Sequence, residues 1–106
     1  MISASTVLAN RCVAKDAMTV WKHDKGIFRK AKHSNIWSEY NASYELITSF
    51  REEKRSQDGV IIHNDESGVS ILLRHDICGF KALEESNFQQ LYHGSFMRVA
   101  DCSEGS

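Results

Sequence analysis

The stretch Val60-Ile61-Ile62-His63, Asn64-Asp65-Glu66-Ser67-Gly68, Val69-Ser70-Ile71-Leu72-Leu73-Arg74 decides how this chain reads. Two runs rich in β-branched residues flank a loop of turn-forming side chains, which is the pattern of an antiparallel hairpin. In the second arm Val69, Ile71 and Leu73 take one face and Ser70, Leu72 and Arg74 the other. A period of two therefore holds, with Leu72 as its apolar exception.

Toward the N-terminus, Tyr44, Leu46, Thr48 and Phe50 alternate with Glu45, Ile47, Ser49 and Arg51, which predicts a third strand. Residues 36–40 and 26–30 predict two more, and residues 18–22 partner the latter across a turn at His23-Asp24-Lys25-Gly26. Proline is absent, and single glycines stand at 26, 59, 68, 79, 94 and 105. Five of the six fall between strand-like segments, where they are expected to supply the positive φ of tight turns.

The ends are less decided by pattern. Residues 80–92 fit a helix ending at Gly94, yet 88–92 and 96–100 also fit a hairpin turning at His93-Gly94. Leu8, Cys12, Val13, Ala17 and Val20 stand at helical spacing behind a Ser5 or Thr6 cap, so a short N-terminal helix over 6–21 competes with irregular structure. Residues 101–106 are small and polar and are expected to fray.

A strand roughly every ten residues, with turns between, belongs to a small sandwich or barrel. Sequential pairing needs no long crossovers. The expected fold class is all-β or mainly β: a small antiparallel meander forming a curled sheet or up-and-down barrel. At 106 residues the chain is expected to form one domain, 1–106.

Composition excludes several classes of function. With 42% apolar and 25% charged residues the chain is no disordered segment. Thirteen basic against fourteen acidic residues give a charge of -1, which supplies no field toward nucleic acid or acidic lipid. Nucleic acid is thus not the expected partner, although Arg29-Lys30-Ala31-Lys32-His33 ahead of Trp37 and Tyr40 interleaves cations with aromatics. The N-terminal residues 1–12 carry neither a basic region nor a long apolar run, so no signal peptide or membrane span is expected. Cys12, Cys78 and Cys102 include no C-x-x-C pair and allow at most one bridge, which slightly favours an intracellular, reducing setting.

Motifs for chemistry are sparse. There is no phosphate-binding glycine loop, G-x-S-x-G elbow or H-E-x-x-H, and no two histidines stand at ligand spacing, so no cofactor or metal is expected. The oxygens of Asn64-Asp65-Glu66 lack a calcium-loop pattern and suit a hairpin tip. The mixed run Arg51-Glu52-Glu53-Lys54-Arg55 reads as a solvated strand end or loop.

Two functional readings remain. The first is a non-enzymatic binding or interaction module recognising a carbohydrate, a peptide or a protein surface, with a homodimer as one way to cover a sheet face. It rests on the aromatics crowding the first half, with Trp37, Tyr40 and Tyr44 as contact residues and Arg29 and Glu39 as polar partners. The second is a small hydrolase or thiol enzyme using His75 and Cys78, from the segment Arg74-His75-Asp76-Ile77-Cys78.

Overall fold

The computed structural model describes residues 12–15 and 17–102. Their strands, in chain order, are β1 Cys12–Lys15, β2 Val20–His23, β3 Gly26–Lys30, β4 Ile36–Asn41, β5 Leu46–Ser56, β6 Gly59–His63, β7 Ser70–Arg74, β8 Ile77–Lys81, β9 Gln89–Phe96 and β10 Val99–Cys102. No helix occurs among the described residues. Strands β2 to β9 form a closed antiparallel barrel in sequential order, with β9 returning to pair with β2. Strands β1 and β10 pair with each other in a separate two-stranded ribbon. The fold is the all-β up-and-down meander that the alternation predicts.

Alternation also selects what fills the barrel. Register sets Trp21 opposite Phe28, Phe28 opposite Glu39, Trp37 opposite Phe50, Val60 opposite Leu73 and Cys78 opposite Tyr92, and residues directly opposite share a face. That inward set supplies the buried core: Trp21, Phe28, Trp37, Phe50, Val60, Ile62, Ile71, Leu73 and Cys78. Phe28 on β3 meets Trp21 of β2 edge-on at 6.1 Å and Phe50 of β5 at a tilt, also at 6.1 Å, so the rings interlock inside the barrel.

The hairpin of residues 60–74 is present as β6 and β7, and Asn64 organises its loop. The Asn64 side-chain oxygen accepts from the Glu66 and Ser67 N–H groups, while its amide donates to Thr48 Oγ1 and the Ser49 carbonyl on β5. Gly68 has φ 78°, the positive value expected of a turn glycine.

Among the described glycines only Gly68 has a positive φ, so Gly26, Gly59 and Gly79 depart from expectation, and Gly94 departs furthest. It lies inside β9, and the chain turns only after Phe96. A Cβ at Gly94 would collide with the Lys22 carbonyl oxygen and stand 2.6 Å from the Trp21 ring, so this glycine permits close approach of β9 to β2.

The helical spacing of residues 6–21 does not produce a helix where the structure describes it. Cys12–Lys15 is strand β1 and Val20 opens β2, because pairing with β10 and β3 overrides local periodicity; residues 1–11 and 16 lie outside the described set. At the other end Asp101 and Cys102 close β10, and residues 103–106 lie outside the described set.

Candidate functional site

In an up-and-down barrel the turns alternate between two ends, and here the ends differ in how fully their polar groups are paired. One end gathers the β3–β4, β5–β6 and β7–β8 turns and the segment leading into β2. Trp21 and Trp37, both with no exposed surface, fill this end. Trp21 Nε1 donates to the Arg74 carbonyl at 2.6 Å, and Trp37 Nε1 donates to Glu52 Oε1 at 3.0 Å. The Arg55 guanidinium donates to both Glu52 oxygens, at 2.9 and 3.1 Å, and to the carbonyls of Ala17 and Met18 at 3.2 and 3.0 Å. It thereby straps the chain ahead of β2 over the barrel. Burial alone would raise the Glu52 carboxyl, but its hydrogen bonds from Arg55 and Trp37 hold it below the usual carboxylate range.

The opposite end carries the β2–β3, β4–β5, β6–β7 and β8–β9 loops. A cavity of about 280 Å³ opens there, lined by Glu39, Thr48, Phe50, Asn64, Glu66, Ser67, Val69, Ile71, Phe80 and Leu91. Walls from β4 and β5 meet walls from β7, β8 and β9 across it, which places it at the mouth of the lumen. An eight-stranded barrel has room either for packed side chains or for one small ligand. This one is packed with side chains at one end and opens into a cavity at the other.

Glu39 is the polar group that the surroundings leave most clearly unanswered. It is half-buried, faces inward between Phe28 and Thr48, and has no hydrogen bond or ion pair among the described residues. Burial raises its carboxyl above the usual range. No lysine, arginine or histidine lines its cavity, whereas Glu66 adds a second carboxylate at the rim.

A second unanswered group lies deeper. His23 is 6% exposed, and its ring stacks on Tyr92 with centroids 3.9 Å apart and planes 10° from parallel. Its Nδ1 accepts from the Lys25 N–H at 3.1 Å, which assigns the proton of the neutral ring to Nε2. That Nε2 is buried without a partner. Desolvation lowers the His23 pKa; Asp24 works in the opposite direction and Lys25 adds to the lowering.

The structure distributes the residues expected from sequence rather than gathering them. Trp37 sits in the core at the closed end and Glu39 in the open cavity, two positions apart on one face of β4. Tyr40 and Arg29 belong to the outer wall, Tyr40 half-buried opposite Ile27 and Arg29 exposed opposite Ser38. Tyr44 stands 68% exposed in the β4–β5 loop at φ 63°. It lines a separate cleft of about 260 Å³ with Lys22, His23, Asp24 and Asn41.

His75 and Cys78 are likewise apart in role. His75 is exposed and its Nε2 lies 2.8 Å from the Gln57 carbonyl. Cys78 has no exposed surface, and burial pushes its thiol up to about 11, away from the depression that activates a nucleophile. Two of the three side chains at the 64–66 tip are engaged: Asp65 takes a two-point ion pair from Arg51 at 2.8 and 3.1 Å, and Asn64 serves the backbone. No cluster of three metal-ligating side chains occurs among the described residues.

Sequence reasoning did not single out Thr48, Phe80 or Leu91 as cavity walls, or His23 as a lumen residue. The signal for Glu39 was present: once Trp37 is inward, period two carries Glu39 inward with it. For His23 the corresponding signal was the spacing from Trp21. Comparison of the chain with family models, curated proteins and solved structures found no match in any of the three.

Proposed function

We propose that the protein is a non-enzymatic binding module whose open barrel end receives a peptide through a cationic side chain on an apolar stem. The observation that carries this reading is the unpaired, half-buried carboxylate of Glu39 in a cavity lined by no cationic side chain. An ammonium group entering there would restore the interaction that burial withholds from Glu39. Glu66 favours the same charge at the rim, and Phe50, Phe80, Val69, Ile71 and Leu91 offer an apolar wall to the stem. The Thr48 and Ser67 hydroxyls supply polar contacts for the backbone that follows.

The test is thermal unfolding against lysine- and arginine-containing peptides, simple alkylammonium ions, neutral sugars and acidic peptides. A ligand specific for the native state at 100 times its Kd adds about 2.7 kcal/mol of stability. Basic peptides and alkylammonium ions should raise the midpoint, and Glu39→Gln should abolish the rise while leaving the protein folded. A rise with sugars alone would transfer the reading to carbohydrate. Equal rises in the wild type and Glu39→Gln would remove Glu39 from the site.

A further inference from the structure

The β1–β10 ribbon places two of the three cysteines at one register position. Cys12 lies directly opposite Cys102, followed by Val13 opposite Asp101, Ala14 opposite Ala100 and Lys15 opposite Val99, with no shift along the pair. Directly opposite Cα atoms in an antiparallel pair stand about 4.5 or 5.5 Å apart, according to the type of pair. Both separations fall within the roughly 4.4–6.8 Å that a disulfide spans. Opposite positions also share a face of the ribbon.

The third cysteine is removed from this pairing. Cys78 lies on β8 between Leu73 and Tyr92, fully buried inside the barrel, with its thiol pushed up to about 11. An odd cysteine count thus resolves into one pair at a shared register position and one thiol enclosed by the core.

We propose that Cys12 and Cys102 form an intramolecular disulfide, a redox-responsive clasp joining the strand before the barrel to the strand after it. With a small-molecule disulfide such as oxidised glutathione as oxidant, one cysteine thiolate attacks a glutathione sulfur and releases one glutathione thiolate. The other cysteine thiolate then displaces the second glutathione and closes the ring. Two protein thiols lose two protons and two electrons in total, and the oxidant is reduced to two thiols. The clasp closes a loop of about 90 residues, long enough to restrict the unfolded chain substantially.

The full chain is equilibrated with oxidised and reduced glutathione, alkylated without reduction and digested with trypsin. Cleavage after Arg11, Lys15 and Arg98 isolates Cys12 in residues 12–15 and Cys102 in the peptide from residue 99 onward. The expected result is a linked pair of these two peptides, with Cys78 alkylated only after unfolding. Its formation constant should fall at least about tenfold when the same equilibrium is set up in denaturant. Oxidation should also raise the melting temperature by about 10 °C, and a C12S/C102S variant should lose that response. The peptide map of the wild type stands even if that variant folds poorly. Three alkylated thiols, glutathione adducts without ring closure, or chains cross-linked to one another would each overturn the proposal.

Discussion

The two ends of the barrel carry one glutamate each on the inward side, and the two carboxylates behave in opposite ways. Glu52 at the closed end accepts from Trp37 and Arg55 and is held below the usual range; Glu39 at the open end accepts from nothing described and is raised. Residue type is identical, so the difference comes from what the neighbouring elements supply. A buried polar group that the fold satisfies contributes to stability, whereas one left unsatisfied beside a cavity is available to something from outside.

The sharpest way to break the contrast is at the closed end. Trp37→Ala removes a fully buried indole and leaves Glu52 without one donor, so it should destabilise by about 4 kcal/mol in urea unfolding. Arg55→Ala should be milder. It deletes the strap to Ala17 and Met18 and one partner of Glu52, and, because the guanidinium is partly solvated, the loss should be about 1–2 kcal/mol.

The smallest effect, and the one of opposite sign, is expected at the open end. The pKa of Glu39 is raised on folding, so the folded state holds its proton more tightly than the unfolded chain. Stability from this group is then present below the unfolded carboxyl range and lost as pH rises through the raised folded value. Glu39→Gln should accordingly raise the melting midpoint slightly at pH 7, and the gain should vanish near pH 4. Glu52 runs the other way: its contribution is present above the unfolded range and lost as pH falls through its depressed folded value. Melting curves of Glu39→Gln and Glu52→Gln across pH 3–7 should therefore diverge at neutral pH and converge in acid.

Much of the barrel was legible because half-buried strands announce themselves by alternation. Residues 60–74, 36–40 and 26–30 all emerged near their observed bounds. What alternation could not carry was any feature set by a distant strand. Gly94 reads locally as a turn and is a point of contact with Trp21 and Lys22. Glu52 reads as part of a solvated charge run, yet it stands opposite buried Ile62 of β6 and accepts from Trp37 of β4, partners that only the folded sheet supplies. The candidate site was legible only in part. Glu39 was recognisable as a polar neighbour of aromatics, but its separation from Tyr40 and Arg29 follows from a curvature that turns one face of β4 into lumen and the other into outer wall.

Every barrel pairing except one joins strands that follow each other in the chain. The exception, β2 with β9, is recorded by the partners Trp21–Phe96, Lys22–Ser95 and His23–Gly94. Hairpins can form locally and early, so this seam concentrates the non-local part of the contact order and the entropy of closing a long loop. The barrel therefore has a zip as well as a wall. Amides along β2 and β9 should be the first of the barrel's ladder to exchange with solvent in sub-global openings, and the stacked pair His23 and Tyr92 bridges that same line.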